Sequence, residues 1–231
     1  MKKKLFLISG GSSDIFQNLI KENYFTDSKI LAIYNNSNKL IKNKNITYIK
    51  FDFKRDNNFK KFEKIFSAYN KLIFINFASN KTNKIFLNIK TNDFINDFKI
   101  NTLSYFNISK LILPFMIKKN WGRIINISST GGEKGDVGTT TYTSTKLAAN
   151  GVTRVLSKEF ARFGITSNTI RLGNFKTGMY LNLNENLKKK ILKEIPSGKT
   201  GKIINIYKAI NFIINSDYTN NAYINIDGGY R

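Results

Sequence analysis

Seven short apolar runs are spread over the whole chain, each separated from the next by a longer segment. They are Leu5–Ile8, Ile30–Tyr34, Ile46–Phe51, Leu72–Phe77, Arg123–Ile127, Thr166–Ile170 and Ala222–Ile226. Each is strand-sized, rich in isoleucine and nearly continuous in apolar character, the pattern of a strand buried on both faces. Between them the spacing of apolar residues predicts helices near 14–24, 57–68, 92–119, 141–163 and 205–215. In the fourth of these, Ala148, Val152, Val155, Leu156 and Phe160 mark one apolar stripe. Alternating β and α units imply an α/β fold, a doubly wound parallel sheet of about seven strands with helices on both faces. With 231 residues, two prolines, no repeat and no Pro/Gly-rich linker, the expectation is a single domain over 1–231.

Composition narrows the chemistry. There is no cysteine and no histidine. Disulfides, thiolate catalysis and cysteine-based zinc sites are excluded, and no metal site is expected. Acid–base work must fall to Tyr, Lys, Asp or Glu. The formal net charge is +23, which suggests either an anionic partner such as nucleic acid or a bias in codon usage. Lysine supplies 32 of the 38 basic residues, and Asn (32) and Ile (33) are equally inflated. Those three residues share A/T-rich codons, and arginine, the commoner nucleic-acid contact, is scarce. The balance favours codon bias and no nucleic-acid partner. Lys2-Lys3-Lys4 before Leu5–Ile8 resembles the start of a signal peptide, but the apolar run ends at Ser9-Gly10-Gly11. No stretch is long enough to span a membrane, and a cytoplasmic location is expected.

The candidate chemistry lies in the second half. Tyr142 and Lys146 stand four residues apart, and Ser129 lies thirteen residues before the tyrosine. Residues at i and i+4 share one helix face. An ammonium beside a phenol favours the phenolate, which lowers the tyrosine pKa and lets it pass protons near neutral pH. A serine hydroxyl at a strand end could hold the substrate oxygen beside it. Taken alone, Tyr/Lys pairs at this spacing are frequent on helices. At the other end of the chain, Ser9-Gly10-Gly11-Ser12-Ser13-Asp14-Ile15-Phe16 follows the first strand and opens the first helix. Such a turn presents backbone N–H groups to a phosphate, and Ser12 and Ser13 could add hydroxyl donors.

These residues together resemble the short-chain dehydrogenase/reductase family, in its compact single-domain, Rossmann-like form. Its glycine turn is Thr-Gly-x-x-x-Gly-Ile-Gly; this chain keeps Gly10 and Ile15, has Ser9 for Thr, and puts Asp14 and Phe16 at the other two glycines. Asn76-Phe77-Ala78-Ser79 resembles the family's Asn-Asn-Ala-Gly. Gly122–Ser129 is similar to its fifth strand, Gly164–Gly173 follows its sixth with Leu172 in place of proline, and Asp227-Gly228-Gly229 matches its terminal signature. The resemblance spans nearly the whole chain. It implies hydride transfer between a nicotinamide and a carbonyl or alcohol carbon, with Asn101, Ser129, Tyr142 and Lys146 as the catalytic set. Tyr142 would move the proton, Ser129 would bind the same oxygen, and Lys146 would lower the tyrosine pKa and bind ribose hydroxyls. Asn101 would hold a water joining Lys146 to solvent.

The implied cofactor contacts are Gly10, Ser12, Ser13, Asp14, Ile15, Tyr34, Asn35, Asp52, Phe53, Asn76, Phe77, Ala78, Tyr142, Lys146, Gly173, Phe175 and Thr177. Read from the residues alone, Asp52 is equally a helix N-cap, Asn76 a strand-end turn residue, Asn101 a helix cap and Gly173 turn punctuation. NAD-preferring members often carry an acid after the second strand. This chain has Tyr34-Asn35-Asn36-Ser37 there, which leans towards NADP, with Lys39 near enough to reach a 2′-phosphate. The resemblance implies a homodimer or homotetramer built on helices 92–119 and 141–163. The substrate is a small molecule: a 3-oxoacyl chain on acyl carrier protein, whose acidic surface would suit Lys118, Lys119 and Arg162, or a sugar or polyol. A nucleotide-binding descendant without catalysis is the alternative from another class. Finally, 178–201 interrupts the β/α rhythm and is either a substrate lid or an ordinary surface helix with a basic face at Lys188–Lys190.

Overall fold

The computed structural model describes residues 4–25, 28–36, 40–55 and 62–230. Seven strands form one sheet: β1 (Lys4–Ser9), β2 (Lys29–Tyr34), β3 (Ile46–Lys50), β4 (Lys71–Asn76), β5 (Gly122–Ser129), β6 (Ile165–Leu172) and β7 (Tyr223–Ile226). Their order is β3-β2-β1-β4-β5-β6-β7, and every pairing is parallel. The winding reverses between β1 and β4, which opens a crevice at their carboxyl ends.

The alternation of side chains along each strand explains the layering. Phe6, Ile8, Ile73, Ile75, Ile125 and Ile127 pack on one face against α1 (Asp14–Lys21) and α9 (Ile203–Asn215). Leu5, Leu7, Leu72, Phe74 and Ile124 pack on the other against α2 (Glu63–Phe66), α4 (Ser104–Lys118) and α6 (Thr140–Glu159). Each such buried Leu, Ile or Phe contributes about 1.5–3 kcal/mol.

Two helices depart from their expected form. The segment read as one helix over 92–119 is α3 (Thr91–Phe98), a π-helical turn (Lys99–Leu103) and α4 in unbroken succession. The wider turn rotates Asn101 to a fully buried position facing α6. In α6 the expected apolar stripe is not the most buried face. Val155 is exposed, whereas Thr141, Tyr142, Thr145, Lys146, Ala149, Asn150, Thr153 and Ser157 are buried. Those are small or polar residues that bond across to the sheet and to α3–α4, so polar contacts outweigh hydropathy on this helix. The chain also forms α5 (Gly131–Lys134), α7 (Gly178–Leu181) and α8 (Glu185–Glu194). No helix among the described residues is long and apolar enough to cross a membrane.

Candidate active site

Ser129 ends β5, and the chain turns back through α5 into α6, so Ser129, Tyr142 and Lys146 meet at the carboxyl edge of the sheet. The Ser129 hydroxyl oxygen accepts the Gly131 N–H at 3.2 Å. That bond leaves its own O–H free to donate. Tyr142 is buried, with the hydroxyls of Ser129 and Ser79 beside its phenol. The Lys146 ammonium lies 5.8 Å from the centre of the Tyr142 ring and donates to the Ile127 carbonyl at 3.0 Å. Asn101 sits behind this group. Its oxygen accepts the Asn80 N–H at 2.6 Å, and its NH2 donates to the Asn80 carbonyl at 2.9 Å and to Thr145 Oγ1 at 2.8 Å.

Burial dominates the ionisation of the pair. It pushes the Tyr142 phenol above its ordinary value, against a smaller lowering by the Ser129 and Ser79 hydroxyls. This differs from the expectation that a neighbouring lysine sets the direction. Burial also pushes the Lys146 ammonium down to about 8. Both groups are thereby driven towards their neutral forms, and the lysine is left labile near physiological pH.

The nucleotide half is built differently. Gly10 adopts φ +73°, and a Cβ there would lie 2.5 Å from the Ala78 nitrogen, so no other residue fits where the two loops cross. Ser13 caps α1 by accepting the Phe16 N–H at 3.3 Å, and the first-turn amides of Asp14 and Ile15 face outwards as at any helix start. These features fit a phosphate, though the Asp14 carboxylate stands at the same helix start, close against the backbone of Gly178. Phe16, where the family pattern has a glycine, is fully buried and pairs with Phe77 at 5.9 Å between ring centres. The two departures from the family pattern fill one space together.

Several residues expected to contact the cofactor have their side chains engaged within the protein. The Asn76 side chain is buried in a ladder running Ser9–Asn76–Asn126–Asn150, at 2.5, 3.0 and 3.3 Å, which ties β1, β4, β5 and α6 together. The register of β1, β4 and β5 sets Ser9, Asn76 and Asn126 side by side, so this asparagine faces the protein. Phe175 is buried in the core against Gly201, and Gly173 is pressed against the backbone of Asp227. Asp52 accepts the Lys54 N–H at 2.9 Å and so closes a turn, while Phe53 packs on Phe51 at 5.4 Å. Tyr34 meets Tyr48 edge-on at the end of β2, and Asn35 follows it. Ser12 lies partly exposed in the turn, and Thr177 precedes α7 as its cap residue. Ser37 and Lys39 fall outside the described residues.

The segment 178–201 folds as α7 and α8 beside the site. Glu194 at the end of α8 accepts from Lys134 of α5 at 3.3 Å and from the Tyr230 hydroxyl at 3.2 Å. Lys118, Lys119 and Arg162 are misplaced for a substrate-side role. They precede β5 and β6, so they lie at the amino edge of the sheet. Strands of eight residues separate that edge from Ser129, roughly 26 Å. The sequence reading also passed over Ser79, Lys81 and Asp97. Lys81 lies 5.6 Å over the Tyr142 ring, and Asp97 is fully buried behind it. Ser79 was visible in the Asn76–Ser79 run; Lys81 was one lysine among 32. Among the described residues no acidic cluster is placed to hold a metal ion.

Comparison with known proteins agrees with this arrangement. The short chain dehydrogenase family profile matches residues 4–188. The chain is 32% identical to a 3-oxoacyl-(acyl-carrier-protein) reductase FabG of Buchnera aphidicola subsp. Baizongia pistaciae, over 98% of this chain and 97% of that protein. It is 31% identical to an acetoacetyl-CoA reductase of Allochromatium vinosum, over 68% of this chain and 65% of that protein. A solved structure of ElxO with NADP bound superimposes with a TM-score of 0.87 at 27% identity, covering 100% of this chain and 99% of that one. The chain belongs to the short-chain dehydrogenase/reductase family and is an NAD(P)-dependent oxidoreductase acting on carbonyl and alcohol groups.

Proposed function

We propose that the protein reduces the ketone of a 3-oxoacyl thioester with NADPH, using Tyr142 as general acid. The observation that carries this reading is the buried Tyr142 phenol, with the Ser129 and Ser79 hydroxyls beside it and the Lys146 ammonium alongside. The Gly10–Ile15 turn and Lys146 would hold the cofactor, which would supply the hydride when bound. Ser129, oriented as a donor by Gly131, binds the carbonyl oxygen. Tyr142 protonates that oxygen as charge develops on it. Lys146 then passes a proton to the phenolate and is itself reprotonated from solvent, its own proton being labile near neutrality. Both Asn101 N–H bonds are engaged with protein, so a relay water would be held by the second lone pair of its oxygen or by its backbone carbonyl.

NADP is preferred over NAD because Tyr34-Asn35-Asn36 offers no carboxylate to repel a 2′-phosphate. The relatives named as reductases of 3-oxoacyl-carrier and acetoacetyl-CoA substrates support the thioester class. A carrier protein would meet Lys81 and Lys176 at the carboxyl edge, not the lysines of the opposite edge. A homodimer or homotetramer is supported by the exposed Leu103, Phe106, Leu147 and Val155 along the π-helical turn, α4 and α6. Light scattering at micromolar concentration tests the assembly, and a monomer mass refutes it. Thermal shift with NAD, NADH, NADP and NADPH, followed by turnover of acetoacetyl-CoA, tests the function. The largest stabilisation is expected with NADPH; no stabilisation by any of the four at millimolar concentration overturns the reading.

A further inference from the structure

Asp97, on α3, is a buried carboxylate that the reaction does not use directly. It accepts four hydrogen bonds. Oδ1 takes Asn80 Nδ2 at 2.5 Å and Thr82 Oγ1 at 3.2 Å; Oδ2 takes the Thr82 backbone N–H at 3.1 Å and Thr141 Oγ1 at 2.6 Å. No lysine or arginine lies within 4.0 Å of it among the described residues. A fully buried carboxylate held by neutral donors alone is costly to remove from water, and it persists where its bonds specify a geometry.

The partners show which geometry. Asn80 and Thr82 flank Lys81, whose ammonium lies over the Tyr142 ring. Asn80 is also the residue that grips Asn101 from both sides, through its N–H and its carbonyl. Thr141 is the chain neighbour of Tyr142 at the start of α6. One side chain therefore bonds the loop after β4 on either side of Lys81 and bonds α6 beside Tyr142. That loop also carries Ser79, whose hydroxyl lies near enough to the phenol to lower its pKa. Ser79 and Lys81 themselves are partly or fully exposed, so they depend on their neighbours for position.

We propose that Asp97 is a positioning residue for the proton relay: it locks the Ser79–Thr82 wall to the first turn of α6, and so sets the distance between that wall and the Tyr142 phenol. The inference rests on the assignment of Tyr142 as general acid. A carboxylate suits the task because all four partners donate to it. A carboxamide of the same size would turn an NH2 group towards at least one N–H donor, so Asp97→Asn opens one side of the clamp while keeping its volume.

The test is steady-state reduction of acetoacetyl-CoA with NADPH by wild type, Asp97→Asn, Tyr142→Phe and the double variant. It is run alongside calorimetric NADPH affinity and thermal melts. Displacing an acid by an ångström costs on the order of 10²-fold. The expected result is a kcat at least about tenfold lower in Asp97→Asn. NADPH affinity should stay unchanged, and the double variant should be no slower than Tyr142→Phe, because a residue acting through Tyr142 has nothing left to lose. Wild-type kcat in a folded but less stable Asp97→Asn overturns the proposal, as does an additive loss in the double variant. If Asp97→Asn does not fold, Thr141→Val cuts only the bond to α6 and is held to the same outcomes. Full activity in Tyr142→Phe would instead sink the assignment of the acid, a failure distinct from that of the clamp.

Discussion

The two halves of the site obey different rules. Around the carboxyl end of β5 and the start of α6, Ser129, Tyr142, Lys146 and Asn101 are all present, and Ser129, Lys146 and Asn101 are each fixed by a hydrogen bond within the protein. At the end of β1, two of the turn's three glycines are replaced, by Asp14 and Phe16. Proton transfer depends on particular side-chain atoms, which have no substitutes. A phosphate cradle is made of backbone N–H groups, which any side chain can leave in place provided it finds room. Phe16 finds that room against Phe77, and Gly10, where backbone crosses backbone, is retained.

The comparison breaks most sharply at Tyr142. Tyr142→Phe removes the transferable proton but not the ring, and activity should fall by about 10²–10⁴-fold with the fold and NADPH affinity intact. Near-normal turnover would place the acid elsewhere and erase the contrast. In the other half the largest effect should be on stability rather than chemistry. Phe16→Ala empties a fully buried site and should cost about 3–5 kcal/mol in urea unfolding. A far smaller loss would mean that Phe16 is merely tolerated and that the Phe16–Phe77 pair does not hold the turn.

Lys146 sharpens the contrast through pH. Its folded value of about 8 lies below the ordinary 10.5. Between these values the unfolded chain holds a proton that the folded chain has released. Stability therefore rises with pH across that window, and this contribution is lost as pH falls through about 8. Lys146→Met should remove that slope, amounting to roughly 3 kcal/mol over the window. The difference between wild type and variant in unfolding free energy, followed across the window, is the measurement; parallel curves would contradict it. The smallest effect is expected at Asp14. Its carboxylate stabilises the start of α1 by about 0.3–1 kcal/mol, yet adds negative charge beside a phosphate site. Asp14→Asn should bind NADPH a few-fold tighter, by about 1 kcal/mol, with the gain shrinking as salt is raised. Weaker binding in that variant would show that the aspartate serves the cradle rather than opposing it.

Much of this was legible in the sequence because it depends on short-range pattern. Near-continuous apolar runs point to strands within a covered sheet, a pattern that holds for its centre while the edge strands β3 and β7 are only partly buried, and their alternation with helical periods leaves few arrangements besides a parallel doubly wound sheet. The spacing of Tyr142 and Lys146 placed them on one helix face without any coordinates. Other features were beyond that reach. The buried polar face of α6, the π-helical turn that swings Asn101 inwards, and the commitment of Asn76 to a ladder through β1, β4 and β5 all depend on register between distant segments. The amino-edge location of Lys118, Lys119 and Arg162 follows from strand direction, which residue type does not reveal. Tertiary structure alone brought Asp97 to Thr141, 44 positions away, and Lys81 over Tyr142. Periodicity reports what each residue prefers to face. Which partner it meets is decided when the sheet closes and the loops at its carboxyl edge are forced into one small volume.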